Sequence, residues 1–279
     1  MRRPRLLNLA LLACLPAAGM LLTLGSAAGA STVATPSAQA AANARALLHT
    51  LSVGQHSANQ RVADHAAKIK GLTQVQSSNW SGYADTSTTF STVTASWTEP
   101  SASCSGRSTQ LAAFWVGIDG YSSSSVEQDG TLIECYEGKA YQYTWWEMYP
   151  TNDIQVVGST LAAGDHIAAS VVRSGTSYTL KVTDSTHSAD SFSTTQTCSS
   201  CANSSAEWIA EAPSGSSGVY PLAHFSTWTA SSATSNSGTI SSFTDDEITM
   251  VDSAGRVEAQ PGALNSSGNS FSVTWERSS

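Results

Sequence analysis

Three short stretches of this 279-residue sequence set acids or an amide among aromatic residues: FWVGIDG at 114 to 120 running into VEQDG at 126 to 130, YTWWEMYP at 143 to 150, and AEWIAE at 206 to 211. Each reads as a strand, and successive side chains of a strand alternate between its faces. Trp145, Glu147 and Tyr149 therefore share one face, and Glu207, Ile209 and Glu211 share a face opposite Trp208. Gln128 points where Val126 points. A glutamate with an unperturbed pKa of about 4.3 is partly ionised in mild acid, so one of the carboxylates Glu207 and Glu211 could exchange a proton with water there. Gln128 offers an uncharged NH2 donor, indifferent to pH and suited to an oxyanion. Taken singly, Gln128 could be a turn residue before Gly130, and Glu211 a capped strand end.

Other catalytic apparatus is missing from the sequence. There is no GxSxG, HExxH, Asp-Ser/Thr-Gly, GxxxxGK[ST] or GxGxxG motif. His166, His187 and His224 have no Ser or Cys nucleophile at a recognisable spacing. The CSSC run at 198 to 201 lacks the βαβ context of a redox motif and the further ligands of a zinc site, so no metal or cofactor is expected.

The elements that must position these residues follow from patterning. Residues 1 to 5 are basic, residues 6 to 25 are mostly apolar and Ala28-Gly29-Ala30 offers a cleavage site, so 1 to 30 reads as a signal peptide and the chain as secreted. Cys14 in LLAC is a weak lipoprotein signal. Residues 31 to 76 read as a propeptide or linker, with helical spacing over 41 to 72 (Leu47, Leu48, Leu51, then Val62, Ala66, Ile69). Residues 77 to 279 alternate at period two, as in Val93, Ala95, Trp97; Tyr178, Leu180, Val182; and Phe271, Val273, Trp275. They predict one all-β, antiparallel double-sheet sandwich or jelly roll, with loops at 230 to 238 and 265 to 270.

Charge divides at the same boundary. Residues 1 to 76 hold seven Lys/Arg against Asp64 alone, whereas 77 to 279 hold six against twenty Asp/Glu, so a segment of net +6 precedes a domain of net −14. The first is expected to dock on the second electrostatically. The second would repel a nucleic-acid backbone and suits an acidic medium, where its carboxylates are protonated. After signal removal Cys104, Cys135, Cys198 and Cys201 remain, for which three pairings are possible; the preferred one is Cys104 with Cys135 and Cys198 with Cys201.

WSGY at 80 to 83, WVGIDG with Q-x-G downstream, W-x-E-x-Y-P at 145 to 150, AGD at 163 to 165 and AEWI-x-E-x-P at 206 to 213 occur together and in this order. Over about residues 77 to 277 the set resembles the glutamic peptidases, or eqolisins. The resemblance implies a double-sheet β-sandwich, a pepstatin-insensitive acid endopeptidase acting on polypeptides, and a catalytic dyad falling on Gln128 and Glu211, with Glu207 structural. It also implies that Asp119, Trp145, Glu147 and Tyr149 line or support the substrate cleft. Two departures stand out: Gln128 is flanked by the acids Glu127 and Asp129, and Glu211 is followed by Ala-Pro. The first bears on the pH profile.

Two rival readings fit the same aromatics. A lectin-like carbohydrate-binding module would have no need of Gln128. A jelly-roll glycosidase would need two carboxylates roughly 5 to 9.5 Å apart, which Glu147 and Glu211 could supply. A monomer without nucleic-acid or membrane partners is expected under the peptidase reading.

Overall fold

Small, alternating side chains over some two hundred residues favour sheets stacked face to face, each burying one side against the other. The computed structural model describes residues 38 to 51, 68 to 69 and 72 to 278. The expected signal peptide with Cys14 lies outside them, as do Val62 and Ala66.

Among the described residues one α-helix, α1 (Ala38–Leu48), precedes the sandwich. Five strands carry the candidate residues: β1 (Trp80–Asp85), β2 (Gln110–Asp119), β3 (Val126–Tyr136), β4 (Lys139–Tyr149) and β5 (Ala206–Glu211). They lie side by side in the larger sheet in the order β4-β3-β2-β5-β1, every neighbour antiparallel. Asn152–Gly158 extends this sheet beyond β4, and Asp245–Val251 extends it beyond β1. β5, distant in sequence, is thus threaded between β1 and β2.

The second sheet runs Phe192–Thr197, Ser177–Asp184, His166–Ser174, Thr92–Thr98. The strand Trp228–Ser235 joins the two sheets: its first half pairs with Phe271–Trp275 in the larger sheet and its second half with Thr92–Thr98, with a register shift between Ser231 and Thr234. Between the sheets Phe114, Val116, Ile118 and Trp208 meet Val93, Trp97, Val171 and Leu180 in one buried cluster. The expected alternation is present in Thr92–Thr98 and Ser177–Asp184.

Two expectations from patterning need correction. Of the helix expected over 41 to 72, α1 is helical to Leu48 and residues 52 to 67 lie outside the described residues, whereas Ile69 belongs to the two-residue strand Lys68–Ile69, which pairs with the strand Leu72–Ser77. That strand lies parallel to Asp245–Val251, so among the described residues the larger sheet starts with Lys68–Ile69, inside the stretch read as propeptide or linker. The supposed loop at 230 to 238 is largely strand, because Ala230, Ala233 and Ser235 are small enough to be buried without a hydrophobic signature. Disulfides join Cys104 to Cys135 and Cys198 to Cys201.

Candidate active site

Residues paired directly across antiparallel strands project from the same face. One row runs Glu207 (β5), Gly117 (β2), Gln128 (β3), Glu147 (β4), and another runs Trp80 (β1), Glu211 (β5), Ala113 (β2). Gly117 and Ala113 are four residues apart on β2, so both rows belong to one face. Gln128 and Glu211 therefore open onto the same side of the larger sheet. It is the side turned away from the inter-sheet core, lined by Trp80, Trp115, Tyr143, Trp145 and Ile209.

Trp115 links the two rows. Its Nε1 donates to Glu211 Oε2 at 2.9 Å. The benzo edge of the same indole lies along β2 over Gly117: a Cβ on Gly117 would stand 2.8 Å from Trp115 Cζ3 and 3.3 Å from Gln128 Cβ. Glycine at 117 is what lets the ring and the glutamine occupy adjacent space. Glu211 receives a second donor on its other oxygen, Asn79 Nδ2 at 3.3 Å. Gln128 donates from Nε2 to Glu147 Oε2 at 2.7 Å. A carboxylate only accepts, so this bond orients the amide, and it uses one of the two Nε2 hydrogens. Gln128, Glu147 and Glu211 are all at most 1% exposed.

The remaining expected residues divide. Trp145 is fully buried on this face, and Tyr149 stands half-buried at the end of β4 on the same side. Asp119 is placed elsewhere. Its backbone is left-handed at φ 68°, and its carboxylate accepts the Asn203 and Ser204 N–H groups at 2.6 and 2.8 Å, so it pins the chain entering β5 rather than lining the face. Glu127 and Asp129 point to the opposite face from Gln128. Desolvation by burial, reinforced by Asp119, pushes Glu127 up to about 9, and burial likewise raises Asp129 despite an N–H donated by Lys181. Both are held neutral in acid. Glu207 is similar: it has no N–H donor on either oxygen, and burial followed by the nearby Asp119, Glu127 and Asp85 raises it well above the ordinary carboxylate range.

Helix α1 lies over the indole-lined face. Ala44, Leu48 and, just after the helix, Leu51 are buried in the same cluster as Trp80, Trp115 and Trp145. The expected electrostatic docking is not what these residues show. The contact is apolar, and Arg45, the one cation of the helix, donates to the Val156 carbonyl at 3.1 Å. The sandwich histidines stand apart from this face: His187 pairs with Asp165 at 2.9 Å, which raises its pKa, His166 begins a strand of the second sheet, and His224 stacks on Trp275.

Patterning passed over Trp115, Ser77 and Asn79. Trp115 could have been found by alternation, being two residues before Gly117 within a stretch already singled out. Asn79 stands directly before WSGY, but N-W-S reads first as a glycosylation acceptor.

Among proteins of known structure, a scytalido-glutamic peptidase bound to a transition state analog inhibitor superposes with a TM-score of 0.61 at 22% identity, over 71% of this chain and 98% of that one. Aspergilloglutamic peptidase from Aspergillus niger superposes with a TM-score of 0.52 at 27% identity, over 60% and 99%. In sequence, Scytalidopepsin B of Scytalidium lignicola is 34% identical over 139 residues, 48% of this chain; the match spans about half the length of that relative, 51%. The model of the Peptidase A4 family matches residues 78–275, from the residue before Asn79 to the last strand, and the chain therefore belongs to that family, the eqolisin-type glutamic peptidases.

Proposed function

We propose that the chain is a secreted acid endopeptidase that hydrolyses polypeptides with Glu211 as general base and acid and Gln128 as oxyanion donor. The observation that carries this reading is the pairing of an ionisable acid with a neutral amide on one face, each held by its own partners and both beside the Trp115 indole. Glu211 in its ionised form removes a proton from a water molecule as the oxygen adds to the peptide carbonyl carbon. The carbonyl oxygen gains negative charge and accepts a hydrogen from Gln128 Nε2, whose amide is kept in register by Glu147. Glu211 then returns the proton to the departing nitrogen as the C–N bond breaks. One water is consumed and the carboxylate is regenerated. Trp145 and Tyr149 serve as walls for an extended substrate.

Residues 1 to 30 act in this reading as the export signal, and α1 belongs to a prosegment that covers the indole-lined face until it is removed. The mature enzyme is a monomer. A glycosidase reading is weakened by the state of Glu147, whose Oε2 is already an acceptor for Gln128. The test is incubation of the processed protein with denatured protein and with polysaccharide at about pH 3 to 4 with pepstatin present. Cleavage of protein is expected. Turnover of the polysaccharide alone, or sugar binding without turnover, defeats the proposal.

A further inference from the structure

Glu211 is the last residue of β5, a position where a carboxylate ordinarily turns to solvent, yet it is 0% exposed. Its two oxygens are met from the strands on either side, Oε2 by Trp115 of β2 and Oε1 by Asn79, the residue before β1. The Asn79 side is itself a small constructed unit. The Asn79 carbonyl accepts the Ala212 N–H at 2.8 Å, which fixes its backbone against the residue following Glu211. The N–H groups of Asn79 and Trp80 converge on Ser77 Oγ at 3.3 and 3.2 Å. With both donors on its oxygen, the Ser77 hydroxyl donates to Asn79 Oδ1 at 3.1 Å.

That last bond decides which way the amide faces. A hydroxyl hydrogen aimed at Oδ1 requires the carbonyl end of the amide to lie toward Ser77 and the NH2 end toward Glu211. The opposite orientation would set a carbonyl oxygen against a carboxylate oxygen. Resting on the reading of Glu211 as the base, we infer that Asn79, oriented by Ser77, is the positioning residue for Glu211: it donates to Oε1, favours the ionised carboxylate, and leaves the side chain one orientation toward the attacking water. Asn79 touches no reacting atom. Its effect passes through Glu211, because a hydrogen bond donated to a carboxylate stabilises the charged form.

Three variants of the processed enzyme test this, with Glu211→Gln as the control. Asn79→Asp keeps size and shape but replaces the neutral donor with a second acid, so the acidic limb of kcat/KM moves to higher pH by about one unit or more. Asn79→Ala lowers kcat by about 10- to 100-fold with KM little changed. Ser77→Ala moves both quantities in the same directions by less, and it decides the matter if the Asn79 variants do not fold. A merely structural role would lower the melting temperature and leave the pH limb of the folded fraction in place. Folded Asn79→Asp and Ser77→Ala enzymes with the parental limb, and kcat within about twofold of it, overturn the inference. Should Glu211→Gln stay active, the assignment of the base itself has failed, which is a different result from an inactive Glu211→Gln beside unshifted profiles.

Discussion

The two ends of β5 carry the same side chain in the same strand, on the same face and equally buried, yet with opposite hydrogen-bonding surroundings. Glu207 has burial and three neighbouring acids acting on it and no N–H donor, and so holds its proton. Glu211, four residues on, has an indole and an amide donating to it. Burial alone does not make a base; donors are what permit a buried carboxylate to carry charge. The flanks of Gln128 qualify that lesson: Glu127 and Asp129 sit next to it in sequence but face the inter-sheet core, and burial raises both, Asp129 even though the Lys181 N–H donates to it, so a donor is needed but is not sufficient where burial is deep. The concern that they would distort the pH profile of the site is met by the pleat of the strand.

This contrast can be broken experimentally, most decisively at Glu211. Glu211→Gln should lower kcat by about 10²- to 10⁴-fold without unfolding the protein, whereas Glu207→Gln, an isostere of the protonated acid, should leave proteolysis within about threefold. Steady-state kinetics on both folded variants reverses the assignment if the outcomes are exchanged. Gln128→Ala should cost about 10²- to 10³-fold in kcat, as expected for one lost oxyanion donor. Gly117→Ala places a methyl against Trp115 and Gln128, and a loss of about tenfold in kcat with a small change in melting temperature is expected. Unchanged kcat there would remove the indole from the account.

The weakest effect in acid becomes the largest on alkalinisation. Burial raises Glu127 to about 9 and Glu99 and Glu134 to about 8, all from ordinary carboxylate values. Groups whose folded pKa is raised stabilise fully below the unfolded value near 4, and their contribution declines as pH climbs toward the folded value. Melting temperature should therefore fall steadily between about pH 4 and pH 9, and Glu127→Gln should flatten the descent. A melting temperature constant across that window would contradict the burial of these acids.

Much of this was legible before any coordinates. Period-two alternation gave the faces of β4 and β5, and ordered motifs led to Gln128, Glu147 and Glu211. What sequence could not supply was adjacency across strands: that β5 enters between β1 and β2, and so brings Asn79 and Trp115 to opposite oxygens of one carboxylate. Asp119 shows where strand position stops being informative. Its left-handed backbone and the Asn203 and Ser204 N–H groups that its carboxylate accepts tie it to the chain entering β5, a local arrangement period-two alternation does not reveal. Beyond Trp228, the strand Trp228–Ser235 is hard to read because its interior positions are the small Ala230, Ala233 and Ser235, whose types carry little hydrophobic signal.

The burial of Asn79 has a practical corollary for producing this protein in yeast or insect cells. N-W-S at 79 to 81 and N-S-S at 203 to 205 are acceptor tripeptides, and both asparagines lie inside the fold, whereas Asn265 is on its surface. Oligosaccharide is transferred to the nascent chain, ahead of folding. A sugar tree on Asn79 would have to be accommodated beside Glu211, so chains tagged there cannot close, and a secretory host that tags them would yield a mixture dominated by its own quality-control losses. Ser81→Ala erases the acceptor while leaving the Asn79 amide intact, and a bacterial host sidesteps the conflict altogether.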